Sequence, residues 1–236
     1  MTLLRNLAFY PAFYIGSFIV TALAAISSYV APRYVRTFCD AWSDWHHWCC
    51  TRLLGLKIRE TGTRPDFPAL YAIKHESYYE AIAMAHMFNY PAGVAKQELF
   101  DIPGWGRAGK AYGLIPVARD QGAKALRELM AAARSARAQD RPVVIFPEGT
   151  RVPHGERPPL RSGFAALYKI LKLPVVPVAI ASGPVYRSGL KKAGTITWHF
   201  GEVIEPGLPR EEIEAKVHEA INALNAPPRN LAGNAD

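Results

Sequence analysis

The chain reads as an α/β protein, a largely parallel sheet flanked by helices (an αβα sandwich), preceded by an N-terminal membrane-associated helical region. Three observations predict this. Short β-branched runs such as Val143–Phe146 and Val175–Ala181 alternate with helical stretches such as Gln121–Ala138 and Arg210–Leu224. That alternation is the signature of parallel strands joined by helical crossovers. No charged residue falls between Arg5 and Arg33. Finally, 236 residues, 50% of them hydrophobic, can bury one sizeable core and not two.

Taken in order, the first element is the apolar N-terminal stretch. A helix over residues 7–30 would reach roughly 36 Å, enough to cross a bilayer core. A cleaved signal peptide fits poorly, because the segment is long and rich in Tyr and Phe. A buried core helix would have to be wrapped on every side. A membrane helix, spanning or half-inserted, fits best, with Pro11 starting or kinking it and Tyr10, Tyr14 and Tyr29 at headgroup level. Arg33, Arg36, Arg52, Lys57 and Arg59 follow it and only Arg5 precedes it, which places the rest of the chain on the cytoplasmic face. Trp42, Trp45 and Trp48 recur every three residues, one helical face suited to a membrane interface, and Gly55 ends that helix. Residues 1–56 are thus expected to anchor a globular domain of residues 57–236.

A metal site built from His46, His47, Cys49 and Cys50 is not expected, since adjacent pairs cannot both point at one ion. The three cysteines, two of them adjacent, favour a reducing compartment over a disulfide-stapled fold. The net charge of +8 suits an anionic membrane, nucleic acid or small anions. Nucleic acid is disfavoured because the aromatics cluster with the apolar N-terminus and not among the basic residues.

In the globular part, strands are expected at Ala69–Ile73, Leu114–Val117, Val143–Phe146, Val175–Ala181 and Thr195–Phe200. Helices are expected from Ser77, over Gln121–Ala138 with Leu126, Leu129 and Met130 on one face, over Gly163–Leu171 and over Arg210–Leu224. The glycines of Gly104–Arg107 and Gly113–Arg119 are spaced for loops. In a largely parallel sheet, ligands gather at the carboxyl ends of strands.

Two polar motifs fall at such ends, and each has a plain structural alternative. His75 precedes a helix that carries Glu80 one turn in; the carboxylate could hold one ring nitrogen and leave the other free as a base. The alternative is a capping histidine beside a solvated glutamate. In Phe146–Arg151, Gly149 allows close approach, Arg151 offers a forked grip on phosphate, and Glu148 could hold a hydroxyl or the arginine itself. The alternative there is a structural pair on a turn. No Gly-x-Ser-x-Gly occurs, and Ser77 lies too near His75 for a persuasive triad, which favours direct attack by a substrate hydroxyl. No nucleotide fingerprint is present.

In sequence, His75–Glu80, Gly113–Arg119, Phe146–Arg151 and Leu173–Val178 resemble four blocks of the 1-acylglycerol-3-phosphate acyltransferase family, in the same order, over roughly residues 57–204. Glu80 stands where that family more often has aspartate, and Ala118 before Arg119 departs from its commoner run of charges. The resemblance implies His75 as general base with Glu80 orienting it. It implies Arg119, Glu148 and Arg151 on the phosphate and glycerol end of the acceptor, Gly149 and Thr150 shaping the turn, Lys96 as a further candidate, and Pro177 positioning the site from a neighbouring strand. It further implies acyl transfer from acyl-CoA or acyl carrier protein to the sn-2 hydroxyl of lysophosphatidic acid at a membrane, with no metal and no cofactor. Donors for the oxyanion are expected among backbone amides near the start of the Ser77 helix. The rival readings are another lyso-lipid or glycerol 3-phosphate as acceptor, and a non-catalytic protein that binds anionic lipid.

Overall fold

The computed structural model describes residues 1–117 and 122–225. Helix α1 (Thr2–Val30) and helix α2 (Val35–Trp48) form an antiparallel hairpin through a 3₁₀ turn at Pro32–Tyr34. Pro11 lies inside α1, nine residues past its first residue, so it does not start the helix. The tryptophan face of α2 packs on α1 instead of facing outward. Trp45 Nε1 donates to the Ala12 carbonyl (3.2 Å) and Trp42 Nε1 to Ser17 Oγ (2.9 Å). Trp48 stacks on Trp45 with centroids 5.0 Å apart and stays 44% exposed. Gly16 makes this contact possible, since a Cβ there would lie 2.1 Å from the Trp45 ring. Helix α2 runs on through a π-helical turn, Cys49–Leu53, and ends at Gly55, whose φ of +73° is the left-handed stop expected of it.

One face of α1 therefore belongs to the globular core, through Asn6, Phe9, Phe13 and Ala24, while Leu7, Ile15, Phe18, Ile19 and Ile26 point outward. The helix is long and apolar enough to cross a membrane.

Among the described residues seven strands follow: β1 (Leu56–Gly62), β2 (Leu70–Ile73), β3 (Ala92–Lys96), β4 (Ile115–Val117), β5 (Val143–Ile145), β6 (Val175–Ile180) and β7 (Gly194–Phe200). They form one sheet in the order β1-β7-β6-β2-β5-β3-β4. Every pairing is parallel except β6 with β7, so the largely parallel sheet read from the sequence is present. Alternation sorts the side chains into two cores. Tyr71, Ile73, Val144, Val176, Val178 and Trp198 pack on one face, under α1, the π-helical turn and α3 (Tyr78–Met87). Leu70, Ala72, Val143, Ile145 and Val175 pack on the other, under α6 (Gly122–Ala138), α7 (Ser162–Leu171) and α8 (Arg210–Ile221). These are the layers of an αβα sandwich.

The segment read as a glycine loop is in part helical. Helix α5 (Trp105–Tyr112) follows a short α4 (Gln97–Phe100), bracketed by Gly104 (φ +77°) and Gly113 (φ +83°). Gly106 and Gly109 lie inside it for packing; a Cβ on Gly106 would sit 1.8 Å from the Phe100 carbonyl oxygen. Strand β3 was not anticipated, because Ala-Gly-Val-Ala carries little of the β-branched signal.

Between α2 and the sheet lies His46, fully buried, with Nε2 2.9 Å from the Tyr186 hydroxyl and 3.3 Å from Cys50 Sγ. Burial pushes the ring down from 6.5 to about 3, with the nearby His47, Lys191 and His86 adding in the same direction. Below pH 6.5 the unfolded chain binds a proton here that the native chain refuses down to about 3, so stability is full above that window and falls as pH drops through it. The loss is roughly 1.4 kcal/mol per pH unit, or roughly 2 kcal/mol by pH 5. Urea unfolding at pH 7 and pH 5 should show that drop in the wild type and a flatter dependence in His46→Gln. Equal slopes in the two proteins would count against this account.

Candidate active site

Strands β2, β5, β3 and β4 are consecutive neighbours and mutually parallel, so their carboxyl ends line one edge of the sheet. His75 follows β2, Glu148–Arg151 follows β5, and Lys96 closes β3. Arg119, just beyond β4, lies outside the described residues.

His75 is held from four directions. Its backbone N–H donates to Glu148 Oε2 (3.2 Å), and its carbonyl accepts from Val152 N–H (2.7 Å), tying it to the segment after β5. Its ring stacks on Phe146 with centroids 4.2 Å apart. Its Nδ1 lies 3.1 Å from Glu80 Oε1. In a regular helix two side chains five apart would diverge, and a capping box resolves this. Ser77 is the N-cap of α3 and accepts from the Tyr79 amide, while Glu80 reaches back to the Ser77 amide (2.6 Å). The carboxylate is thereby pointed backward, toward the turn in which His75 sits.

Glu80 is fully buried and well satisfied. Oε1 accepts from the Glu76 and Ser77 amides and from His75; Oε2 accepts from Ser77 Oγ (3.0 Å) and Ser182 Oγ (2.8 Å). A carboxylate with this many donors stays an acceptor, so the proton between it and the imidazole belongs on Nδ1. Nε2 is then unprotonated and available. The same bonds narrow one expectation: of the backbone amides near the start of α3, those of Glu76 and Ser77 are already committed to Glu80. Ser77 itself serves as cap and carboxylate donor.

Glu148 does not face the open edge. It is buried, with Oε1 2.6 Å from Lys74 Nζ and Oε2 on the His75 amide. Lys74, also buried, further donates to the Glu156 carbonyl (2.9 Å) and Asn222 Oδ1 (2.9 Å). Gly149, at φ +69°, closes the turn with its N–H on the Phe146 carbonyl (2.9 Å). Beyond it Thr150 and Arg151 are exposed, the guanidinium lying 3.8 Å over the Tyr78 ring. Lys96 is exposed at its strand end. Pro177 pairs with Ala72 on β2, three residues ahead of His75.

A second histidine–carboxylate pair stands beside the first. Glu76 accepts from His154 Nδ1 (2.8 Å) and from the Ser182 (2.9 Å) and Gly183 (2.8 Å) amides. Burial raises the Glu76 carboxyl, opposed by the Gly183 N–H and by His154. Both residues line a cleft of about 540 Å³ together with Ser77, Tyr78 and Arg151. Sequence reading missed Lys74, Glu76, His154 and Ser182. The Lys74–Glu148 pair had a local hint, a lysine adjoining the motif histidine; Ser182 had none.

An unprotonated imidazole nitrogen beside a buried carboxylate, with an arginine at the rim, can deprotonate a hydroxyl and hold an anionic group nearby. Comparison with known proteins points the same way. The family model described as Acyltransferase matches residues 56–181, from the start of β1 through the residue after β6. The chain belongs to the Acyltransferase family. It is an O-acyltransferase.

Among relatives, the 1-acyl-sn-glycerol-3-phosphate acyltransferase of Pseudomonas aeruginosa is 28% identical over 229 residues, covering 94% of this chain and 86% of the relative. That of Helicobacter pylori is 30% identical over 134 residues, covering 56% of each. The crystal structure of the 1-acyl-sn-glycerophosphate (LPA) acyltransferase PlsC from Thermotoga maritima superposes with a TM-score of 0.73, covering 94% of this acyltransferase and 95% of that chain at 20% identity. It shares the fold.

Proposed function

We propose that this acyltransferase moves a fatty acyl group from acyl-CoA or acyl carrier protein to the sn-2 hydroxyl of lysophosphatidic acid, giving phosphatidic acid. The observation that carries the reading is the bond from His75 Nδ1 to the buried Glu80, which leaves Nε2 free to take a proton. The acceptor hydroxyl gives its proton to Nε2 as its oxygen attacks the thioester carbonyl carbon. The tetrahedral intermediate collapses, the carbon–sulfur bond breaks, and the thiolate takes the proton back from the imidazolium. Ester and thiol are the products, and the steps call for no metal and no cofactor. The names borne by the relatives support lysophosphatidic acid as acceptor.

Arg151, exposed at the rim, would grip the acceptor phosphate, with Thr150 beside it, Lys96 from the end of β3 and, by the sequence resemblance, Arg119. Glu148, with both oxygens engaged, would act from behind by holding the His75 backbone. The apolar outer face of α1 would seat the protein on the bilayer that holds acceptor and product. Its packing on the core from Asn6 to Ser28 supports a helix embedded along its length over one that crosses. The basic residues after it support the cytoplasmic face.

The test is free thiol release from acyl-CoA and from acyl carrier protein, with and without lysophosphatidic acid, using detergent-purified protein. Release that requires that acceptor is the expected result. Release with glycerol 3-phosphate or an uncharged lyso-lipid alone would refute the assigned acceptor. Arg151→Ala should raise KM for lysophosphatidic acid by roughly 10- to 100-fold, the worth of one or two charge-assisted hydrogen bonds. An unchanged KM would remove Arg151 from that role.

A further inference from the structure

The connection between β6 and β7, residues 181–193, crosses back over α1 and is fastened there. The Asn6 side chain accepts from the Lys191 amide (2.8 Å) and donates to the Lys191 carbonyl (2.7 Å). The Tyr10 hydroxyl bonds the Gly189 carbonyl. This latch brings Lys191 into the cleft that Glu76, Ser77 and Arg151 line, where the residue is only 7% exposed. Lys191 Nζ donates to the Tyr10 hydroxyl (3.1 Å) and the Arg187 carbonyl (3.2 Å), and it lies 4.4 Å from the centre of the Tyr186 ring.

What it lacks is a counter-charge. Among the described residues no carboxylate pairs with Lys191, and none pairs with Arg187 or Arg151, which line the same cleft. Glu76 is the acidic group there, and three donors already occupy it. A nearly buried cation without an anion is unfavourable by itself, and a fold that keeps one has use for an anion at that place. At about 540 Å³ the cleft is ligand-sized, lined by Arg151 and His154 from the segment after β5 and by Arg187 and Lys191 from the β6–β7 loop.

We propose that the β6–β7 loop completes a phosphomonoester site, in which Arg187 and Lys191 join Arg151 in holding a phosphate dianion. The proposal rests on the acyl-transfer reading above and adds to it a wall that none of the sequence motifs includes. The phosphate chemistry has two sources, the headgroup of the lysophospholipid acceptor and the 3′-phosphate of coenzyme A. The lipid is favoured by the third wall, Tyr10 and Tyr14 of α1, because exposed Ile15, Phe18 and Ile19 follow on the same helix. A lipid headgroup can enter sideways along such a surface.

The test uses the full chain in detergent and the variants Arg187→Glu and Lys191→Gln. The Arg187 side chain makes no hydrogen bond among the described residues, so its replacement leaves the fold undisturbed. KM is measured for lysophosphatidic acid and for acyl-CoA, each with the other saturating, and again with acyl carrier protein as donor. Thermal shifts with glycerol 3-phosphate and with adenosine 3′,5′-bisphosphate give binding without turnover. The expected result is a rise of about tenfold in one KM, larger than any fall in kcat, and loss of the matching thermal shift. A rise for lysophosphatidic acid with both donors places the lipid phosphate in the cleft. A rise for acyl-CoA that disappears with acyl carrier protein places the donor's phosphate there. Unchanged KM values and unchanged shifts in both variants would overturn the site while leaving the acyl-transfer reading intact. A wild-type chain inactive with every acceptor would sink that reading instead, and the thermal shifts would still report on the cleft.

Discussion

His75→Ala should lower acyl transfer by about 10²–10⁴-fold while leaving the melting temperature within a few degrees of wild type. The rate falls because the imidazole nitrogen that takes the proton of the acceptor hydroxyl is removed. Stability holds because the ring contributes little to it: one stack on Phe146 and one of five donors to Glu80. Glu80→Gln makes the complementary case. It too should slow turnover, since an amide NH₂ opposite Nδ1–H favours the wrong tautomer. It should also destabilise, because an amide nitrogen cannot accept from the donors that one carboxylate oxygen now serves. Thiol release and thermal unfolding on both variants separate the roles. A His75→Ala protein with near-normal rates would end the assignment of His75 as base, and an equally stable Glu80→Gln would contradict the network drawn around that carboxylate.

Most of the fold was legible because the sheet announces itself locally. Val143–Ile145 and Val175–Ile180 are apolar runs buried on both faces, as parallel strands between helix layers must be. Strand β3 and helix α5 were not legible, for opposite reasons. Ala-Gly-Val-Ala is too small to look like a strand, and it forms one because β5 and β4 flank it. Gly106 of α5 looks like a loop former but serves contact, since a Cβ there would collide with the Phe100 backbone. The tryptophans of α2 had the helical spacing expected of them, and what spacing cannot say is which neighbour they face. Gly16 on α1, with its missing Cβ, decides that.

At the site, His75 and Glu80 could be paired from order and type, whereas the geometry that pairs them comes from Ser77. The sequence Ser-x-x-Glu at a helix start is itself a readable signal, and it explains how a residue one turn into α3 can orient a histidine before it. Ser182 enters from a loop 102 residues beyond Glu80, a distance no local pattern bridges. The same holds for His154 on Glu76, and for the loop that carries Arg187 and Lys191 across α1. Local patterns proposed what chemistry the strand ends hold; the long-range bonds decide which charged groups face a ligand and which are spent on structure.

Glu148 is the clearest instance of a charge spent on structure, and Lys74→Met is the variant expected to expose it. Both side chains are buried, and Lys74 Nζ is fully occupied by Glu148, the Glu156 carbonyl and Asn222. Removing the lysine alone leaves a carboxylate in the core with only the His75 amide to answer it. Breaking one side of such a pair costs about 3–5 kcal/mol, or roughly 10 °C in melting temperature for a chain of this size. Glu148→Leu alone strands the ammonium in the same way and should cost a comparable amount. The double variant Lys74→Met/Glu148→Leu removes both charges together, so it should be markedly more stable than the two single losses added. It should not recover activity to the same degree, because the acceptor that holds the His75 backbone is still missing. Urea unfolding and thiol release on the four proteins read both quantities. If the single losses simply add, Lys74 and Glu148 act independently. If the double variant regains full turnover, the hold on His75 through Glu148 is dispensable, and Phe146 together with the capping box is enough to place the base.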